Sequence, residues 1–162
     1  MKIEKNDNNL IVFLNKKISP KIDLNNKIEL EKNFQKLFKK LNDIYDLKLN
    51  GSYEINIYLN KEYGMILELQ KEEIEYFDYY DTIDMHLNLS KYDEILYKTN
   101  DIIQNNMYIY NGEIYIEPQG TDFKTLGIII ENSEIIYGKK AHIIKKKGKK
   151  IITKNYKVEK IK

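Results

Sequence analysis

One long segment of this chain has a helical period, and most of its other apolar residues fall in short runs that alternate with period two. From about Asn25 to Tyr45, the residues Leu30, Phe34, Leu37, Phe38, Leu41 and Ile44 share one stripe. Lys36, Lys39, Lys40 and Asp43 lie off it. Side chains three and four apart meet on one face of an α-helix, so this spacing predicts an amphipathic helix with its stripe in a core. Before it, Lys2-Ile3-Glu4-Lys5 and Leu10-Ile11-Val12-Phe13-Leu14 read as a strand pair around the turn Asn6 to Asn9. After it, Tyr53 to Leu59 alternates with period two, Lys61-Glu62-Tyr63-Gly64 is a turn, and Met65 to Leu69 is a further strand. The first 70 residues therefore read β-β-α-β-β.

The second half repeats the theme. Ile83, Met85, Leu87 and Leu89 alternate with polar residues and predict a strand. Residues 92–104 admit two readings: Ile95, Leu96, Thr99, Ile102 and Ile103 fit a helix, whereas Glu94 to Lys98 fits an edge strand. Met107 to Tyr110, Asn111-Gly112 and Glu113 to Glu117 form a hairpin signal, because Asn-Gly suits the positive φ angles of a type I′ turn. Thr121 or Asp122 can cap a helix running to about Glu131, bearing Phe123, Leu126, Ile129 and Ile130. Ile135 to Tyr137 and Lys150 to Thr153 read as closing strands, with Gly138 and Gly148 at breaks. The expected fold class is α+β: antiparallel sheet with two principal helices. A β-β-α-β-β unit at residues 1–70 is followed by a smaller β-hairpin/helix unit at 83–162, which carries a basic tail. Between them, residues 71–82 form an acidic aromatic linker or seam.

Composition removes much familiar chemistry. The 162 residues include no Cys, Arg or Trp, and only two His, His86 and His142. Thiol nucleophiles, zinc–thiolate sites, iron–sulfur ligation and arginine clamps on phosphate are excluded. Charge is divided unevenly behind a net +2: residues 139–162 hold 11 Lys against one acid (+10), and residues 1–138 hold 16 Lys against 24 acids (−8). Such asymmetry can mark a nucleic-acid or acidic-partner site. With 27 Lys and no Arg, however, Lys is the chain's default surface cation, which lowers the meaning of any one cluster. The longest purely apolar run is Leu10 to Leu14, far short of a membrane span, so a soluble cytoplasmic protein without membrane association is expected.

Four features could carry function. Glu75, Asp78, Asp81 and Asp84 are spaced by three, so a helix there would align carboxylates for a hard cation, while a solvated acidic loop is the plainer reading. Neither an EF-hand nor a phosphate-binding loop accompanies them, and no metal, cofactor or catalytic residue is assigned. His86 and His142 lack any motif tying them to a nucleophile and read as surface residues. Tyr76, Phe77, Tyr79 and Tyr80 either fill a seam between the units or anchor a protein partner. Lys145, Lys146, Lys147, Lys149 and Lys150 either bind phosphates or solvate a hairpin whose Ile143, Ile144, Ile151 and Ile152 face inward.

The segment order resembles the MecA-type adaptor family, which recruits substrates to the AAA+ unfoldase ClpC. Lys2 to Lys5 with Leu10 to Leu14 is similar to that family's first strand pair. The helix from Leu30 to Tyr45 and the strands Gly51 to Leu59 and Met65 to Leu69 resemble its N-terminal, substrate-binding unit. Asn106 to Glu117 is similar to its C-terminal hairpin, and Ala141-His142-Ile143 with Gly148 to Thr153 to its closing segment. Two departures stand out. The family's long acidic linker is reduced to about residues 71–82, and the first helix of its second unit falls on 92–104. The resemblance implies a non-enzymatic, protein-binding adaptor or regulator whose partners are a ClpC-type unfoldase and its clients. The alternative is a nucleic-acid-binding protein using the C-terminal lysines, and a third reading is a metal-dependent enzyme using the acids at 75–84. An acidic front with a basic tail also permits self-association.

Overall fold

The computed structural model describes residues 2–6, 9–17, 25–72, 83–99, 106–118 and 123–152. Its fold is α+β, built as two compact units. Strands β1 (Lys2–Lys5) and β2 (Asn9–Asn15) open the chain as an antiparallel pair, closed by the Asn6 N–H donating to the Asn9 carbonyl at 2.8 Å. Helix α1 (Lys27–Tyr45) follows. Its N-cap is Asn26, whose Oδ1 accepts from the Glu29 N–H at 3.2 Å while its Nδ2 donates to Glu29 Oε2 at 3.1 Å. The first of these bonds satisfies a backbone donor that the first helical turn leaves open, and the second ties the two side chains together.

Strands β3 (Gly51–Asn60), β4 (Gly64–Lys71) and β5 (Ile83–Leu89) complete a five-stranded sheet in the order β1-β2-β4-β3-β5. Its register places Leu10, Val12 and Leu14 opposite Leu69, Leu67 and Met65, all buried. Tyr53, Ile55 and Ile57 of β3 are buried with them, as are Leu30, Phe34, Phe38 and Leu41 of α1. Burial of each large apolar side chain contributes about 1.5–3 kcal/mol, which makes this stripe the unit's main source of stability. Two members of the expected stripe deviate. Leu37 is half-buried, and Ile44 is 60 % exposed, because it sits at the stripe's edge in the last helical turn.

The first sheet is mixed rather than wholly antiparallel, since β5 runs parallel to β3 over seven residue pairs from Gly51–Ile83 to Ile57–Leu89. This pairing also moves the expected boundary. Residues 83–89 belong to the first unit, and the second comprises Tyr58–Tyr63 together with Ser90–Lys162. Of the linker or seam expected at 71–82, residues 73–82 lie outside the described residues.

The second unit is a five-stranded antiparallel sheet in the order β10-β7-β8-β6-β9, made of β6 (Ile95–Lys98), β7 (Asn106–Tyr110), β8 (Glu113–Glu117), β9 (Glu134–Tyr137) and β10 (Lys149–Ile152). The β7–β8 hairpin turns at Asn111 (φ 50°) and Gly112 (φ 77°), the geometry expected of Asn-Gly. Residues 95–98 are strand rather than helix. They form an interior strand between β8 and β9, not an edge, which is why Ile95, Leu96 and Tyr97 are all buried.

Helix α2 (Phe123–Glu131) buries Leu126 and Ile129. A third helix, α3 (Gly138–Lys147), replaces the hairpin expected around the lysines. It turns Ala141 and Ile144 into a cluster with Leu96, Tyr108, Tyr115 and Ile136. Of the isoleucines expected to face inward, Ile144 is buried, while Ile143 and Ile151 are only half-buried. Three-residue spacing of Gly138, Ala141 and Ile144 suits a helix face, and a strand would have sent Ala141 and Ile144 to opposite sides. Among the described residues the first unit holds one helix and a five-stranded sheet and the second holds two helices and a five-stranded sheet, so the second is no smaller in elements than the first. No helix among the described residues is long and apolar enough to cross a membrane.

Candidate functional site

The aromatic set Tyr76, Phe77, Tyr79 and Tyr80 lies outside the described residues, as do Glu75, Asp78 and Asp81. Their place in the chain is nonetheless defined, because they join the end of β4 to the start of β5. Those flanking strands present a hydrogen-bonded polar face. Alternation along β3 sends Ser52, Glu54 and Asn56 to the side opposite Tyr53, Ile55 and Ile57. The parallel register brings them beside Asp84, His86 and Asn88 of β5.

Asn88 Nδ2 donates to Glu54 Oε1 at 3.2 Å and to Asn56 Oδ1 at 3.4 Å, and Asn56 Nδ2 donates to Glu68 Oε1 of β4 at 3.3 Å. At the other end, the Ser52 hydroxyl lies 3.1 Å from Glu72 Oε2 and 3.4 Å from Asp84 Oδ2. His86 Nδ1 is 3.2 Å from Glu72 Oε1, and its Nε2 is 4.0 Å from Asp84 Oδ2. The Ser52 hydroxyl points at carboxylates and not at the imidazole, so this is no nucleophile–base pair. The face instead holds four carboxylates: Glu54 and Glu68 are positioned by the amides of Asn88 and Asn56, and Glu72 and Asp84 by the Ser52 hydroxyl and the His86 ring. His86 is exposed, as its polar strand phase predicts.

The five C-terminal lysines do not form one phosphate-binding group. Lys145, Lys146 and Lys147 occupy the last turn of α3, where cations complement the carbonyl end of the helix dipole. Lys149 and Lys150 lie on β10, and the Lys150 ammonium sits 5.9 Å from the Tyr108 ring centre. Lys145 is engaged internally, with its Nζ 2.5 Å from Glu117 Oε2. Burial alone would lower its pKa. The hydrogen bond and charge of Glu117, with Tyr108 and Glu94 nearby, outweigh burial and leave the pKa raised.

Lys145 belongs to a second polar cluster that sequence reasoning missed. A cavity of about 440 Å³ in the second unit is lined by residues of the β3–β4 turn, β6 and its approach, the end of β8, and α3. Glu62, Asp93, Glu94 and Glu117 supply carboxylates, and Lys61 and Lys145 supply cations. Beside the cavity, His142 Nδ1 lies 2.8 Å from Glu94 Oε1, and its ring centre is 5.2 Å from that of Tyr92. His142 is therefore a partly buried partner of Glu94 rather than a plain surface residue. The continuous apolar run Ile95-Leu96-Tyr97 was the one available signal, since such a run marks a strand buried on both faces. No group of three or more His, Cys, Asp or Glu side chains among the described residues converges well enough to hold a metal ion. No family model, curated protein or solved structure matches the chain.

Proposed function

We propose that this chain is a non-enzymatic adaptor that binds other proteins. The observation that carries the reading is the polar array on the first sheet, where the carboxylates of Glu54, Glu68 and Asp84 on β3, β4 and β5 and of Glu72 just after β4 are held by hydrogen bonds and a close imidazole contact. A fixed array of one charge sign favours a cationic protein surface and discriminates against wrong partners. Tyr76, Phe77, Tyr79 and Tyr80 are tethered between β4 and β5, so aromatic anchors and acidic face can serve one interface. The resemblance to MecA-type adaptors suggests the partners: a ClpC-type AAA+ unfoldase and its clients. Engagement of Lys145 by Glu117 weighs against the nucleic-acid alternative, because it removes one of five cations from that role.

The test is direct binding of the purified full chain to a purified ClpC-type unfoldase, with and without nuclease treatment. Binding is expected to survive nuclease, and to weaken when Glu54, Glu68 and Asp84 become Lys or when Tyr76, Tyr79 and Tyr80 become Ala. Unchanged binding in both sets of variants would remove the proposed interface. Retention of nucleic acid in place of protein would replace the function.

A further inference from the structure

Beside the second-unit cavity, two buried polar atoms have no hydrogen-bond partner among the described residues: Glu94 Oε2 and the Tyr97 hydroxyl. Both residues line it. Tyr97 is only 2 % exposed. Its hydroxyl is held neutral chiefly by burial, with Tyr63 and then Glu62 adding to that effect, and Glu62 is another lining residue. Glu94 is half satisfied, because Oε1 is taken by His142 and Oε2 is not. An unpaired buried acceptor is destabilising, the more so when it is charged, so a donor reaching this carboxylate oxygen gains what the fold forgoes.

The chemistry of the wall selects the donor. Four carboxylates face two lysines, a formal charge of −2. One of those lysines is already committed to Glu117. An anion is disfavoured by this balance, and the described residues offer no set of ligands for a metal ion. Glu94 Oε2 can only accept hydrogen bonds, and the tyrosine oxygen can accept as well. We propose that the cavity binds a cationic N–H donor, a guanidinium or primary ammonium group, between Glu94 Oε2 and the Tyr97 hydroxyl, with Glu62 and Asp93 flanking it. Its volume lies in the range of small-ligand pockets, which admits either a free amine or one cationic side chain of a partner.

The experiment is an NMR titration of the isotope-labelled full chain with Nα-acetyl-L-argininamide, with its neutral isostere Nα-acetyl-L-citrullinamide, and with the N-acetylated, C-amidated peptide Gly-Gly-Arg-Gly-Gly. Argininamide, the peptide or both should produce saturable shifts at Tyr97, Glu94 and His142. Response to the free amide identifies a small-molecule site, and response to the peptide alone identifies a partner's side chain. Glu94→Gln preserves shape, removes the charge, and should weaken binding by at least about tenfold, the equivalent of one charge-assisted hydrogen bond. Tyr97→Phe, which deletes only a hydroxyl, should weaken it by a smaller factor. Equal response to citrullinamide, absence of saturable shifts with both cationic probes, or unchanged affinity in Glu94→Gln would each overturn the proposal.

Discussion

Replacing Gly64 with Ala separates two costs that glycine conceals. Gly64 opens β4 opposite Asn15, with φ at +128°, a conformation L-residues rarely adopt. A Cβ there would lie 2.5 Å from the Leu14 carbonyl oxygen, 2.8 Å from the Asn15 carbonyl carbon and 2.8 Å from the Lys16 nitrogen. All three are backbone atoms of the strand partner and the residue after it, so relief requires β2 and β4 to separate. Gly112 is the natural control, since its φ is +77° and nothing lies within 4 Å of its added Cβ. Gly112→Ala therefore meets conformational strain alone, about 1–2 kcal/mol, partly offset by the smaller entropy of the unfolded chain. Gly64→Ala adds backbone overlap on the scale of an overpacked core, about 1–3 kcal/mol more. Urea unfolding of both variants, with hydrogen exchange of the β2 and β4 amides reporting on the first unit, measures the difference. If Gly64→Ala proves no more destabilising than Gly112→Ala, within about 0.5 kcal/mol, the β2–β4 approach described here is wrong.

Phe34→Ala or Phe38→Ala empties a fully buried site and should cost about 3–5 kcal/mol in the same assay, whereas a change under about 1 kcal/mol would mean the stripe is not core. Burial raises the Tyr63 pKa from 10.0 to about 12 and that of Tyr97 further still. Their neutral forms are thus favoured by folding, and stability is full below pH ~10 and lost as pH rises toward and beyond 12. Tyr97→Phe should shallow that alkaline loss, which pH-dependent unfolding would show, and an unchanged slope would place the hydroxyl in water. Among the C-terminal lysines, Lys145→Gln should cost about 1–2 kcal/mol because it removes a partly buried charge-assisted hydrogen bond to Glu117, while Lys146, Lys147, Lys149 and Lys150 changes stay within about 0.5 kcal/mol each. Replacing all five with Gln should leave partner binding intact. Salt-dependent nucleic-acid binding abolished by those changes would move the function to the nucleic-acid reading.

Local signals carried much of the architecture. The α1 stripe, the β1–β2 and β7–β8 hairpins and the closing strands β9 and β10 are all visible in the residue pattern, because period and turn chemistry act over a few residues. Asn111-Gly112 predicts its own dihedral angles, and Leu30, Phe34, Phe38 and Leu41 predict their own burial. An α+β class follows from these elements alone. Where the reading stopped short, the missing information was non-local. Residues 92–104 carry apolar spacing compatible with helix or strand, and pairing of β6 with both β8 and β9 settles residues 95–98 as strand. Gly138 to Lys147 looked like a hairpin arm because its lysines obscure the three-residue spacing of Ala141 and Ile144. Its helix is favoured by the cluster those two residues join.

The candidate sites followed the same division. Residue types alone exclude thiol, zinc–thiolate and arginine-clamp chemistry, since a side chain that is absent can form no bond. That Ser52, Glu54 and Asn56 share a face is legible from period two. Their alignment with Asp84, His86 and Asn88 required the parallel β3–β5 register, which no local pattern specifies. Glu94, Tyr97, Glu117, His142 and Lys145 are dispersed over some fifty positions, and nothing in their spacing relates them. Sheet order and the packing of α3 bring Glu94, Tyr97, Glu117 and Lys145 to one cavity, with His142 paired to Glu94 beside it. Backbone periodicity is a property of neighbours in sequence, whereas hydrogen-bond partnership and burial are properties of neighbours in space.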